Sequence, residues 1–247
     1  MFPLNAMGVV QAVKDDEGVI SLGNGILLND ECVLTSLEAI IERIEETNFI
    51  PEKLMFKYEN NYIFIHKLHK LHNTNEISSV IETDCYKPFL QPNPTANNHH
   101  FVILELENKI SDVINIPKMP MNVMDIFSSK KGYLFEMKLY SIMNDKDFFV
   151  EFKSIARIKE EMTIDFEKDN RINNLIFNGS PIFVDLNGSL FLIGLYCFSK
   201  NSNTDIGKGY LVNYCSNSPS NKFYQFEPRE TMMTEDTRKE TRQTIVI

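Results

Sequence analysis

Short apolar runs at regular spacing are the feature that most restricts how this chain can fold. Runs rich in Val, Ile, Phe and Tyr alternate with clusters of Asn, Asp, Gly and Pro along most of the sequence. Examples are GVVQAV, GVISLGNGILL, YIFIHKL, FVILELE, FFVEFKSIARI and SLFLIGLYCF. Many short strands divided by turn residues are typical of sandwiches and barrels. The sequence therefore predicts an all-β protein.

Two turns and one helix refine this prediction. Residues 14–18 (KDDEG) and 185–188 (DLNG) look like hairpin connections, the second with an Asn-Gly step that favours positive φ. In SLEAIIERIEETN the apolar residues recur at i, i+3, i+4 and i+7, opposite Glu and Arg. This spacing predicts a short amphipathic helix that begins at Thr35 or Ser36 and whose apolar face is Leu37, Ile40, Ile41 and Ile44.

Charge and hydropathy bear on the class of partner. The 247 residues are 43% apolar, enough for one large β domain or two small ones. The net charge is −9 and no dense Lys/Arg cluster occurs, so we expect no nucleic-acid partner. No apolar run approaches the roughly 18 residues that span a bilayer. The start, MFPLNAMGVVQ, lacks the features of a secretory signal, which predicts a cytoplasmic or nuclear protein if residue 1 is the true start.

The cysteines and histidines offer no clear metal site. Four cysteines are far apart and form no C-x-x-C pair, so we interpret them as buried free thiols: Cys32, Cys85, Cys197 and Cys215. Three histidines recur every third residue in IHKLHKLH, in a segment that fits a strand leading into a loop: His66, His69 and His72. No carboxylate or Cys completes the set nearby in the sequence, and we expect neither a metal nor another cofactor.

Proline-rich stretches indicate the connections. Residues 87–98 (KPFLQPNPTANN) read as a loop, and residues 116–122 (IPKMPMN) suit a connection between two halves. From about Ser216 the sequence is polar and charged with little periodicity, which predicts a flexible C-terminal tail over residues 219–247.

Three separated segments resemble the trypsin/chymotrypsin family of serine proteases. GNGILL…CVLTSLE (residues 23–38) resembles the family's "GxGxLI…WVLTAAHC", and NHHFVILEL (98–106) resembles "NDIALLKL". FNGSPI (177–182), followed by LIGL (192–195), resembles "DSGGPL…LVGI". The resemblance covers about residues 7–215 and keeps the order of the motifs.

The resemblance implies a fold and a domain division. The fold would be a trypsin-like double six-stranded β-barrel with a short helix after the motif strand of the first barrel. The domain would span residues 1–218, with barrels at about 7–115 and 120–215.

At the three catalytic positions the sequence departs from the family. Glu38 stands where the family has its histidine base, His100 where it has aspartate, and Asn178 where it has the nucleophilic serine. A triad needs an attacking hydroxyl or thiol, a base of near-neutral pKa and a group that orients the base. Because an amide cannot attack a carbonyl, the resemblance implies a pseudoprotease with no catalytic residue.

The supporting positions depart as well. Ile176 and Phe177 stand where the family has the glycine of the oxyanion hole and the acid that pairs with a new N-terminus. Ile172 falls near the position that sets trypsin-type specificity and offers no acid for a basic substrate. These changes predict neither a preformed oxyanion hole nor an activation ion pair.

Alternative readings remain open for the same region. One alternative is a residual hydrolase with Ser180 as its nucleophile, although no base adjoins Ser180 in the pattern. Glu38 and His100 could form a swapped carboxylate–imidazole pair, which we interpret as structural rather than catalytic. Cys85 and Cys197 occupy no nucleophile motif.

The favoured function is an intracellular adaptor that binds proteins through its barrel surface and its tail. The alternative is a secreted homologue that regulates active proteases.

The last residues suggest how the tail binds. KETRQTI resembles the "KxTQT" peptide that binds the dynein light chain, with Arg in place of a Thr, and such peptides add a strand to a sheet edge. The apolar end instead suits a PDZ-type groove. The predicted partner-binding residues are Thr241, Arg242, Gln243, Thr244, Ile245, Val246 and Ile247.

Overall fold

The fold is described from a computed structural model. The residues that it describes are 4–14, 18–47, 51–71, 77–82, 101–111, 134–143, 149–159, 163–167, 177–197, 206–212 and 244–246.

The first half of the chain forms a closed barrel. Its strands are β1 (Met7–Lys14), β2 (Gly18–Leu27), β3 (Cys32–Ser36), β4 (Lys53–Tyr58), β5 (Asn61–Leu71), β6 (Ile77–Glu82) and β7 (Phe101–Leu106). They pair in the order β4-β1-β2-β3-β7-β5-β6, and a further β4–β5 pairing closes six of them into an antiparallel barrel, with β6 added on β5. A short 3₁₀ helix (Leu4–Ala6) precedes β1, and one α-helix, α1 (Leu37–Thr47), follows β3.

The second half repeats this arrangement. Its strands are β8 (Leu134–Ile142), β9 (Phe149–Ile158), β10 (Thr163–Glu167), β11 (Pro181–Leu186), β12 (Ser189–Tyr196) and β13 (Ile206–Leu211). They pair in the order β10-β13-β12-β11-β8-β9, and a β9–β10 pairing closes the barrel. Two closed six-stranded barrels confirm the predicted all-β architecture.

The predicted turns and helix are also confirmed. Lys14 pairs with Gly18 at the end of the β1–β2 hairpin. In the β11–β12 hairpin, Asn187 and Gly188 have φ values of 53° and 82°, the backbone that an Asn-Gly turn favours. In α1, the Leu37, Ile40 and Ile44 side chains are buried, as the apolar spacing predicted. Among the described residues, no helix has the length and apolar character to cross a bilayer.

The hydrophobic core of the first barrel continues across the contact with the second. Its cluster of buried side chains also includes residues of the second half of the chain: Tyr140, Ile142, Phe149, Phe183, Leu192, Leu195 and Val212. Tyr140 and Phe183 meet edge to face, with ring centroids 5.7 Å apart. A separate cluster that includes Phe135, Met137 and Phe166 fills the second barrel. The two barrels therefore share buried apolar surface.

The structure describes three residues of the predicted C-terminal tail. Thr244–Val246 form a three-residue strand, β14, that pairs in parallel with Phe149, Val150 and Glu151 of β9. The segment that connects β14 to the second barrel, residues 213–243, lies outside the described residues. The β-branched sequence Thr-Ile-Val has a high strand propensity, and the edge of β9 supplies the pairing partner that sequence patterns could not identify.

Two of the cysteines are described, and both match the prediction. Cys32 and Cys197 are buried, and neither forms a disulfide. Cys85 and Cys215 lie outside the described residues, as do the predicted loop at 87–98 and the connection at 116–122.

Candidate functional site

The turn at residues 177–180 places Asn178 between the barrels. The N–H of Asn24 on β2 donates to the carbonyl oxygen of Asn178 at 2.8 Å. The N–H of Gly179 donates to the carbonyl oxygen of Tyr196 at 2.8 Å, and the N–H of Tyr196 donates to the carbonyl oxygen of Ser180 at 2.8 Å. These main-chain bonds hold the turn against the first barrel on one side and against β12 on the other. We call the contact of β2, β3 and α1 with β8 and residues 177–180 the seam.

Gly179 is required in this turn for two reasons. Its φ of +80° lies in the left-handed region that side chains disfavour. A Cβ at this position would also come within 2.2 Å of the Asn24 carbonyl oxygen and 2.8 Å of Thr35 Oγ1. The close approach of the turn to β2 and β3 therefore depends on the absence of a side chain.

Asn24 is the central polar residue of the seam. It is 1% exposed, and its amide nitrogen donates to the carbonyl oxygen of Ile142 at 3.1 Å. Its Oδ1 accepts from the N–H of Ile142 at 2.8 Å, from Ser141 Oγ at 3.1 Å and from Ser180 Oγ at 3.0 Å. A buried amide with satisfied donors and acceptors fixes the relative position of the groups that it bonds.

The structure describes to different extents the three positions that the resemblance aligns with the catalytic triad. Glu38 is the second residue of α1, but its side chain lies outside the description, and His100 lies outside the described residues altogether. The predicted contact between Glu38 and His100 therefore lies outside the described residues. The neighbouring residues are described: Phe101, which follows His100, pairs with Ser36 at the end of β3, directly before α1.

Asn178 itself contacts the helix that carries Glu38. Its side-chain Nδ2 lies 3.4 Å from Oε2 of Glu42, which is one helical turn beyond Glu38 in α1. The segments that carry the three positions therefore approach one another at the seam. An amide and a carboxylate in contact can hydrogen-bond polar groups, and neither supplies the hydroxyl or thiol that a serine- or cysteine-type triad activates.

Five hydroxyl and thiol groups near the turn at residues 177–180 are buried and hydrogen-bonded. Thr35 Oγ1 donates to the Asn24 carbonyl oxygen at 2.6 Å, and Ser36 Oγ lies 3.2 Å from Cys197 Sγ. Ser141 and Ser180 both donate to Asn24. Cys197 is 3% exposed, and the remaining four side chains are fully buried. A substrate carbonyl cannot reach an atom that the protein interior covers.

Phe177 has a structural role in the same turn. Its N–H donates to Ser141 Oγ at 3.1 Å, and its carbonyl oxygen accepts from the N–H of Ser180 at 3.2 Å. An aromatic side chain at this position supplies no carboxylate for an activation ion pair. Ile172 and Ile176, which the sequence analysis also singled out, lie outside the described residues.

The histidines of β5 meet a carboxylate that the sequence analysis did not find. His69 Nε2 lies 2.8 Å from Oε2 of Glu105 on β7, and His66 Nε2 lies 3.3 Å from Oε1 of the same residue. Burial lowers the pKa of His69, and the hydrogen bond with Glu105 opposes that shift. Among the described residues, no group of three His, Cys, Asp or Glu has the arrangement of a metal site, and His72 lies outside them.

Sequence reasoning missed Asn24 and Glu105 for the same physical reason. Asn24 is 118 residues from Ile142, and Glu105 is 36 residues from His69. Barrel closure, which pairs strands that are distant in the chain, creates both contacts. One available signal was the amide between two glycines in GNGILL, because an Asn in a strand interior has low strand propensity and needs a hydrogen-bonding reason to be there.

Comparisons with known proteins address the fold. No protein-family model matches the sequence, and no curated protein matches it either. Among solved structures, the chain is similar to a thermostable serine protease, AL20, from an extremophilic microorganism. The TM-score is 0.50 at 11% sequence identity, and the match covers 84% of this chain and 91% of that chain. The chain therefore has the double-barrel fold of trypsin-like serine proteases.

Proposed function

We propose that this chain is a non-catalytic binding protein built on a trypsin-like fold. The observation that carries the proposal is the state of the hydroxyl and thiol groups at the seam. The groups nearest the turn are buried, and each has a hydrogen-bond partner within the protein: Thr35, Ser36, Ser141, Ser180 and Cys197. The position of the family's serine holds Asn178, whose side chain contacts a carboxylate.

Ser180 is the one hydroxyl for which the sequence left a catalytic alternative. Its side chain is fully buried, and its Oγ–H donates to Asn24 rather than to a base. A nucleophile needs a general base within hydrogen-bond reach and access to the substrate. The burial of Ser180 and its bond to an amide oxygen favour a structural role over hydrolysis.

A chain that keeps a protease scaffold without its chemistry can still bind, because function resides in the groups placed on a fold. Two regions are candidates for that role: the surface of the barrels and the C-terminal residues 241–247. The tail candidate rests on the resemblance to dynein light chain ligands and on the apolar end that suits a PDZ-type groove. Regulation of active proteases by a secreted form is a second candidate within the same non-catalytic class.

An active-site probe tests the proposal directly. The purified chain is incubated with a fluorophosphonate probe and with a broad panel of peptide substrates, beside an active trypsin-like protease as the positive control. We expect no labelling and no hydrolysis. Labelling that disappears in Ser180→Ala, or hydrolysis that survives repurification, would overturn the proposal.

A binding measurement tests the complementary half. Affinity capture with the wild-type chain and with a chain lacking residues 236–247 should recover a common partner, identified by mass spectrometry. Weaker capture by the shortened chain assigns the contact to the tail; equal capture assigns it to the barrels. Confirmation requires that the recovered partner bind the purified chain directly.

A further inference from the structure

The two edges of β9 are paired very differently. On one edge β9 pairs with β8 from Phe149 to Arg157. On the other edge the described residues of β10 pair with β9 at Ala156, Arg157 and Ile158. That pairing already closes the six-stranded barrel. Another strand can therefore pair with the first part of this edge, at Phe149, Val150 and Glu151, without any change to the barrel.

β14 occupies part of that edge as an added strand. It contributes only three residues, and it is parallel to β9, whereas every other strand pairing of the described residues is antiparallel. Residues 212–243 separate it from β13 in the sequence. Short extended segments that add to an existing sheet edge are a common mode of peptide recognition, in which main-chain bonds supply the affinity.

Two of the three β9 residues that pair with β14 are apolar. These residues are Phe149 and Val150, and both are buried in the structure that contains β14. Phe149 also lines a small recess between the barrels, together with Met7, Val9 and Ile142. The docked strand has the sequence Thr-Ile-Val, and β-branched side chains favour the extended backbone.

We propose that the edge of β9 over Phe149, Val150 and Glu151 is a peptide-binding site for extended β-branched segments, and that the chain's own C-terminal strand is its resident ligand. The proposal deepens the proposed binding role and rests on it. Because Thr244–Val246 belong to the predicted partner-binding tail, a partner that adds the tail to its own sheet must first displace it from β9. The site would then regulate the availability of the tail.

The test uses the full chain and a fluorescent peptide with the sequence of residues 236–247. Fluorescence anisotropy is measured with the wild-type chain, with Ile245→Pro and with the matched control Thr237→Pro. Proline at 245 removes a main-chain N–H from β14, which is not one of the twelve barrel strands. Thr237 precedes β14, so proline at 237 serves as the control for the substitution itself. Amide hydrogen exchange of the barrel strands checks that each variant remains folded.

We expect saturable binding of the peptide to Ile245→Pro, and at least about tenfold weaker binding to the wild type and to Thr237→Pro. The resident tail is covalently attached and competes at a high effective concentration. A peptide that itself carries Ile245→Pro should not bind. Exchange at 149–151 should be faster in Ile245→Pro than in the wild type, and added peptide should slow it again.

Several results would overturn the proposal. Absence of peptide binding to Ile245→Pro excludes the site, and equal binding to the wild type excludes the resident tail. A wild-type dimer that becomes a monomer in Ile245→Pro would reassign the resident strand to a second copy of the chain. None of these readouts depends on hydrolysis, so catalytic activity would overturn the proposed function alone, and failure to bind the peptide would overturn this inference alone.

Discussion

The side chain of Asn24 bonds both main-chain polar groups of Ile142, accepting from its N–H at 2.8 Å and donating to its carbonyl oxygen at 3.1 Å. One amide on β2 of the first barrel thus pairs with β8 of the second as a neighbouring strand would. The same oxygen accepts from Ser141 and Ser180. The seam is therefore held by a buried polar network in addition to shared apolar surface.

Removal of this amide should destabilise the protein. Asn24→Ala leaves the N–H and C=O of Ile142 and the hydroxyls of Ser141 and Ser180 without their partner. Each buried unsatisfied group costs about 1–3 kcal/mol, and we expect a total loss of about 3 kcal/mol in the free energy of unfolding, since the hydroxyls can reorient. Urea unfolding monitored by circular dichroism measures it.

Asn61→Ala is the matched control, because Asn61 is an exposed asparagine of β5. It should change the free energy of unfolding by no more than about 0.5 kcal/mol. If Asn24→Ala is as mild as this control, the network contributes nothing to stability.

Gly179→Ala should be more damaging than Gly188→Ala. Both glycines have nearly the same φ, +80° and +82°, so both substitutions carry a similar backbone penalty of about 1 kcal/mol. Only at Gly179 does the new Cβ meet protein atoms, within 2.2 Å, whereas at Gly188 nothing lies within 4 Å. Thermal or urea unfolding of the two variants should differ by at least about 2 kcal/mol. Equal losses would show that the turn can move away from β2 without penalty.

Stability should fall as the pH is lowered past the ordinary pKa of histidine. Burial lowers the pKa of His69 below 6.5, its ordinary value. Above pH 6.5 the imidazole is neutral in both the folded and the unfolded chain. Below it, the unfolded chain takes up a proton that the folded chain does not, so the free energy of unfolding decreases until the pH reaches the folded pKa.

Unfolding curves between about pH 7.5 and about pH 5.5 measure this slope. The free energy of unfolding should depend less steeply on pH in His69→Gln than in the wild type. His66→Gln retains the buried imidazole of His69 and should keep the wild-type slope. An unchanged slope in His69→Gln would assign the pH dependence to other groups.

Cys32 should resist alkylation in the folded protein. Burial raises the pKa of its thiol to about 12, and the carboxylates of Glu105, Glu31 and Asp30 add to the effect. Because the thiolate is the reactive form, iodoacetamide at about pH 8 should modify Cys32 far more slowly in the native chain than in denaturant. Peptide mass spectrometry after a timed quench follows this residue individually. Rapid native modification would contradict the buried position.

The parts of the fold with a local signal were predictable from sequence. The Asn-Gly turn at 187–188 has its own backbone preference, and the apolar spacing of α1 specifies which face is buried. The motif order indicated a double barrel. Contacts set by barrel closure had no comparable signal: no local pattern connects Asn24 to Ile142, or Glu105 to the histidines of β5.

The candidate site was predictable in its residue types rather than in its geometry. The alignment of Asn178 with the family's serine position comes from the sequence and stays a prediction. The burial of Ser180 could not be predicted, because it depends on where Asn24 lies across the seam. The pairing of β14 with β9 was likewise beyond sequence reasoning, since a polar tail gives no indication of which strand edge receives its end.

The partner that residue 178 offers to Asn24 is its carbonyl oxygen, an atom common to all twenty amino acids. This hydrogen bond between the turn and β2 therefore does not depend on which side chain residue 178 carries. The side chain at this position can therefore be exchanged while the main-chain hydrogen bond between the two barrels remains.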